Sequence, residues 1–218
     1  MTAPTLHLLK HYLKLEYKSK ATISGLIIYA AASVFICNLV FNQSINSATW
    51  NALLWIILLF ICMNASVKSF NHENSYRFLL YYQLVAPNTI IKAKIVHSTA
   101  IMVLLALVTL GCYSFMLGNP VNNNVLYITT LVLGCFGLAT TLTLIAALSS
   151  KAGIGPGMMA VLGFPVIIPQ LMASIKLSKM AMDGLDWSVS YRYLIILIAL
   201  NIISVSLSLI LFPFIWKD

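Results

Sequence analysis

His7 and His11 stand four residues apart, a spacing at which one helix face can offer two imidazoles to a metal ion. No third ligand accompanies them, so the pair reads as part of a surface helix. Cys37, Cys62, Cys112 and Cys135 are the other soft ligands, but each lies in an apolar stretch and no CxxC occurs. They read as small buried hydrophobes, against a disulfide framework, a zinc site or a haem-attachment motif. Gly153-Ile154-Gly155-Pro156-Gly157 has the glycines of a phosphate cradle, yet no Lys-Ser/Thr follows, and the segment reads as a tight turn. The carboxylates Glu16, Glu73, Asp183, Asp186 and Asp218 all fall outside the apolar runs. A proton relay or an intramembrane aspartyl protease therefore lacks its essential groups. His72 and His97 belong to no HExxH pattern, and no serine–base constellation can be picked out. Enzyme chemistry, a metal site and a cofactor site are not expected in this chain.

What the sequence does supply is a set of long apolar elements. Of 218 residues 61% are hydrophobic and 8% charged, with a mean hydropathy of +0.94. Soluble domains carry about 25% charged residues, so a water-soluble fold is excluded. Six runs are long enough for a hydrocarbon core of about 30 Å: 22–41, 49–67, 95–117, 125–148, 158–175 and 191–214. In lipid the backbone must satisfy its own polar groups, so these runs are helices, and their pattern is not the polar-in alternation of a barrel. The first run spans rather than matching a short signal-peptide core. The fold expected is all-α, a single polytopic membrane domain over residues 1–218.

The cations fix an expected orientation. Lys10, Lys14, Lys18 and Lys20 precede the first run, and Lys68, Arg77, Lys92 and Lys94 lie between the second and third. Lys151 and Lys217 fall on the same side by parity, whereas the opposite side holds Lys176, Lys179 and Arg192, partly offset by Asp183 and Asp186. Residues 42–48 and 118–124 carry no charge. Lys and Arg resist translocation, so both termini are expected in the cytoplasm. The +8 net charge then needs only anionic headgroups as its partner, and nucleic acid is not one.

Two hydrophilic stretches have helical patterning. In residues 1–20, Leu6, Leu9, Leu13 and Tyr17 form an apolar row and Lys10, Lys14 and Lys18 a basic one, as in an amphipathic helix lying on the headgroup surface. In the loop 68–94, Glu73 and Arg77 are an i,i+4 pair in the favourable order. Tyr76, Leu80 and Leu84 share a face, Pro87 ends that helix, and Asn88 is placed to cap the next. Within the fifth run, Pro165 and Pro169 lie four apart with Gln170 beside them. Each proline removes a helix donor, so a kink or a break is expected there. Both a packing role and a place in a translocation path are open for it.

The order of these elements resembles the permease subunits of export-type ABC transporters and, more closely, the haem exporter protein B family of cytochrome c maturation. Leu9-Lys10 through Leu15-Glu16-Tyr17-Lys18 resembles the family's N-terminal pattern. Phe70-Asn71-His72-Glu73 through Leu79-Leu80, with Leu84-Val85-Ala86-Pro87 and Ala93-Lys94, resembles its first cytoplasmic loop. Gly137 through Leu148, the glycine-rich turn and Phe164-Pro165…Ile168-Pro169 resemble its fourth and fifth spans. The resemblance implies a non-catalytic permease of the bacterial inner membrane, with ATP hydrolysed on a separate cytoplasmic ABC ATPase. It also implies haem as substrate, a haem-handling membrane protein as partner and a permease dimer in the bilayer. Residues 73–84 would be the coupling helix: Glu73 and Arg77 pair with charges on the ATPase, Tyr76, Leu79 and Leu80 anchor by burial, and Pro87 closes the segment. ATP-driven motion would either export haem or release it from the partner. A generic lipid, glycan or drug permease and a non-transport scaffold are the alternatives.

Overall fold

The computed structural model describes residues 20–41, 45–71, 87–151 and 156–217, and all its regular structure is helical. In chain order the helices are α1 (Lys20–Phe41), α2 (Ser47–Asn71), α3 (Pro87–Leu117), α4 (Asn124–Lys151), α5 (Pro156–Met182) and α6 (Trp187–Lys217). Five of them, α1, α2, α3, α4 and α6, are long and apolar enough to cross a membrane. The chain is a polytopic membrane protein. At about 1.5 Å per residue, the 31 residues of α3 and of α6 each exceed the hydrocarbon thickness. The expected amphipathic helix over 1–20 and the coupling segment 73–84 lie outside the described residues, as does the glycine-rich turn at 153–155.

α4 is the centre. It packs against α2, α3, α5 and α6, and these four also pack in a ring, α2 on α3, α3 on α6, α6 on α5 and α5 on α2. Of the α4 span, 78% is buried, against 17% for α1, which leans on α2 and α3 from outside the ring. Composition explains the placement. Gly134, Gly137, Ala139, Ala146 and Ala147 let neighbouring backbones approach closely, as small residues do between membrane helices. Three of its threonines return their hydroxyl protons to the turn before: Thr130 to the Leu126 carbonyl at 2.7 Å, Thr140 to Phe136 at 2.8 Å and Thr143 to Ala139 at 2.6 Å. The hydroxyls of an otherwise apolar helix are thereby satisfied without a partner on another helix.

The uncharged linkers turn out to be caps. Asn46 accepts from Thr49 N at 2.8 Å and Asn123 from Leu126 N at 3.1 Å, the N-cap geometry of α2 and α4. α5 ends in a Schellman motif: Leu185 N donates to Met180 O and Gly184 N to Ala181 O, with Gly184 at φ +74°. Gly118, at φ +80°, follows the last residue of α3 in a conformation that glycine adopts without Cβ strain. Asn122 bonds the Met182 carbonyl at 2.5 Å and Asn123 N that of Ala181 at 3.0 Å, so the α3–α4 connection is fastened to the end of α5.

Three details differ from the sequence reading. α3 begins at Pro87 itself, eight residues before the expected apolar run, because proline suits the first helical position, where no amide donor is needed. Lys92 is exposed there, but Lys94, two positions further round the helix, is 3% exposed and so lies inside the protein. Of the cysteines, Cys62 and Cys135 are buried and Cys37 half-buried, whereas Cys112 is exposed on the outer face of α3. All four are free thiols.

At the start of α2, the Trp50 ring packs edge-on to Tyr113 at 4.8 Å between centroids and to Tyr127 at 6.1 Å. Its indole N–H donates to the Gly118 carbonyl at 3.1 Å, and Tyr113 returns its hydroxyl to the Trp50 carbonyl at 3.2 Å. Trp50→Phe keeps one aromatic ring but loses the indole bond and leaves a gap at a fully buried site. It is expected to lower stability by about 2 kcal/mol, read as a lower thermal midpoint of the detergent-solubilised protein. An unchanged midpoint would mean the indole bond contributes nothing.

Candidate functional site

Apart from α3, which buries Lys94, His97 and Thr109, the polar side chains that bond between helices gather in one seam, where α2, α5 and α6 meet the face of α4 that carries Gly134 and Gly137. Its first cluster lies near the start of α2. Asn51 donates to the Ile175 carbonyl at 3.0 Å, and its oxygen accepts from Ser178 at 2.9 Å and from the Tyr127 hydroxyl at 3.3 Å. Ser178 in turn accepts from the Trp55 indole at 2.9 Å. One amide thus ties α2, α4 and α5 together.

The second cluster is at mid-length. Gln170 Nε2 of α5 donates to Asn201 Oδ1 of α6 at 2.8 Å, and Asn201 Nδ2 donates to the Leu133 carbonyl of α4 at 3.0 Å. The glycines make room for both clusters. A Cβ on Gly134 would collide with the Trp55 ring and Ser174 Oγ, and one on Gly137 with Gln170 Nε2 and Asn201 Oδ1. A third bond follows one turn on, from Thr141 to Ser204 at 3.1 Å. Two buried oxygens of α5, Gln170 Oε1 and Ser174 Oγ, have no hydrogen-bond partner. Such groups are costly inside a membrane protein and mark places where a partner can be taken.

Of the residues singled out from sequence, Glu73, Tyr76, Arg77, Leu79 and Leu80 lie outside the described residues. Pro87 is the first residue of α3. Pro165 and Pro169 do share one face, as their spacing requires, and that face is exposed. A kink or a break is expected here from the sequence, and there is no break: α5 runs as one helix through both prolines. The amides they lack would have bonded the carbonyls of Val161 and Pro165, on the same exposed row, so the face packed on α4 keeps its ladder. Gln170 is turned away from that row, is 2% exposed, and joins the seam.

Sequence reasoning missed Asn51, Trp55, Ser178 and Asn201. The available signal was spacing: Gln170, Ser174 and Ser178 repeat every fourth residue of α5, and Asn201, Ser204 and Ser208 follow one face of α6. Among the described residues no group of three His, Cys, Asp or Glu side chains could hold a metal ion. What the seam does chemically is to hold helices in register, with no nucleophile–base pair in it.

No curated protein and no solved structure matches the chain. The family model described as CcmB protein does match it, over residues 3–215. The chain therefore belongs to the CcmB family, the non-catalytic permease component of the cytochrome c maturation haem exporter.

Proposed function

We propose that this permease works as a lever rather than a pore, and that its lever arm is the α2–α3 connection. All six helices cross the inner membrane in this reading. α5 does so as well, because it packs along α4 between α2 and α6. Lys20, Lys68, Lys92, Lys94, Lys151 and Lys217 sit at or near the helix ends on the side bearing that connection. The distribution of basic residues makes this the cytoplasmic side, with both termini on it. Residues 1–20 lie along the inner headgroups.

The observation that carries the reading is the position of α4. The middle of the bundle is filled by a helix with interdigitated side chains, so haem has no route through one subunit's interior. ATP-driven closure of a cytoplasmic ATPase pair instead tilts or separates whole helices. Haem is worked on at the surface of the bundle, between two permease copies or in a haem-handling partner. ATP can drive this only by favouring one of two arrangements through different contacts. Glu73 and Arg77 supply charged contacts to the ATPase, and Tyr76, Leu79 and Leu80 supply buried ones. Pro165, Pro169 and Gln170 let α5 bend where its outer row already lacks two ladder bonds.

The test reverses the two loop charges, Glu73→Arg with Arg77→Glu. The double variant is expected to reach the membrane at normal level while covalent haem in c-type cytochromes falls at least tenfold. ATP hydrolysis by the purified complex should lose its dependence on the permease. Normal haem attachment in that variant would rule out the loop as the lever arm.

A further inference from the structure

Three of the chain's thirteen Lys and Arg residues lie at the end of the bundle away from the α2–α3 connection: Lys176, Lys179 and Arg192. All three fall on the α5–α6 hairpin and are exposed. Lys176 Nζ sits over the Tyr193 ring, 5.7 Å from its centroid, within cation–π range. That contact fixes which sides of the two helices meet at the surface. On α5, Met172, Lys176 and Lys179 follow one another at four- and three-residue spacing. On α6, Arg192 and Tyr193 stand four and three residues before Ile196. The two rows border each other on the outside of the hairpin. They are cationic toward its turn and apolar further down, where Met172 is 53% and Ile196 47% exposed.

Depth says what the cations meet. α6 is long and apolar enough to cross a membrane, and its 31 residues span about 46 Å at ~1.5 Å per residue. A bilayer with both headgroup layers measures about 40–45 Å, so the first turns of α6 lie in a headgroup layer. Arg192 and Tyr193 are five and six residues from the start of α6, about 8–9 Å down. Lys176 is level with Tyr193. That is where headgroups meet hydrocarbon, the level of lipid phosphates. The chain's own carboxylates at this end, Asp183 and Asp186, lie in the turn beyond the helices. No ion pair among the described residues joins them to Lys176, Lys179 or Arg192. The counter-charge therefore comes from the surroundings. A free anion would use the cations alone, whereas an anion joined to hydrocarbon also covers Met172 and Ile196. In a bilayer that anion is a phospholipid.

We propose that the outer side of the α5–α6 hairpin binds an anionic phospholipid, its phosphate among Lys176, Lys179 and Arg192 and an acyl chain along Met172 and Ile196. The site is separate from the α2–α3 lever and stands or falls without it.

Two photoactivatable lipids test the site on the intact complex in phosphatidylcholine nanodiscs: phosphatidylglycerol with its reactive group beside the phosphate, and phosphatidylcholine carrying the same group. The two probes sit at one depth and differ in net charge. Phosphatidylglycerol is expected to label residues 172–196 at least fivefold more than phosphatidylcholine does. Lys176→Gln with Lys179→Gln and Arg192→Gln changes only exposed side chains and should abolish that excess. Lys176→Arg with Lys179→Arg should keep it, as should Lys92→Gln at the other end of the bundle. Equal labelling by the two lipids would overturn the proposal, as would an excess that survives the glutamine variant. An excess removed by millimolar inorganic phosphate would mean a free-anion site. One seen on the isolated permease but not in the intact complex would give the patch to a partner subunit. Either result also overturns the lipid assignment.

Discussion

Asn51→Leu is expected to be the most damaging single substitution in the bundle. Leucine has the same branching, but its methyls need more room than an amide held at hydrogen-bond distance, so crowding adds to the polar loss. The change removes three bonds, to Ile175 O, Ser178 and Tyr127, and leaves their partners to find others in a dry interior. Hydrogen bonds between membrane helices average about 0.6 kcal/mol, and a buried group left unmet adds about 1–3 kcal/mol. A total near 3 kcal/mol is expected. Tyr127→Phe removes only the 3.3 Å bond and should cost about 0.5 kcal/mol. Thermal midpoints of the two solubilised variants give the comparison. Asn51→Leu no less stable than Tyr127→Phe would show that the amide is not the hub of the seam.

Gly137→Val comes second. Its Cβ would overlap Gln170 Nε2 and Asn201 Oδ1, and β-branching leaves it no rotamer that turns away. Either the Gln170–Asn201 bond breaks or α5 and α6 move off α4. Overpacking of this kind costs about 1–3 kcal/mol, and the lost interhelical bond brings the expected total to about 2–4 kcal/mol. The yield of folded permease and the covalent haem in c-type cytochromes should fall together. Gly111→Ala is the control, because a Cβ there meets nothing within 4 Å, and exchanging glycine for alanine in a helix is worth about 0.5–1 kcal/mol in favour of alanine. If Gly137→Val behaved like Gly111→Ala, the α4 glycines would not be spacers.

The contrast between these glycines shows where sequence reading stops. Apolar length located all six helices, five of which are long and apolar enough to cross a membrane, because such a helix is defined by its own residues. Caps were harder to read: Asn88, expected to cap the third helix, lies inside it because Pro87 already starts it, and the caps are Asn46 and Asn123, which bond amides three residues on. The seam is another matter. Nothing local separates Gly137 from Gly111, since only the arrival of α5 and α6 beside one of them does so. The proline pair was legible as a row, but not as an outward row, because the side that faces a neighbour is decided by packing. Gln170 drew attention as a polar residue in an apolar run, and its partner Asn201 lies 31 residues away. Cys112 read as buried because its run is apolar, although in lipid an apolar residue has no reason to turn inward.

The threonines of α4 bear on how the chain is put together during synthesis. α4 leaves the ribosome before α5 and α6, which later cover it, so for a time its inner face meets lipid. Thr130, Thr140 and Thr143 need no helper in that interval, since each already donates to its own helix. Asn201, which does need partners on other helices, belongs to the last helix made, and Gln170 of α5 and the Leu133 carbonyl of α4 are already in place when it arrives. Around the second cluster the self-sufficient side chains of α4 thus come before the demanding one of α6, whereas Asn51 of α2 must wait for its partners on α4 and α5.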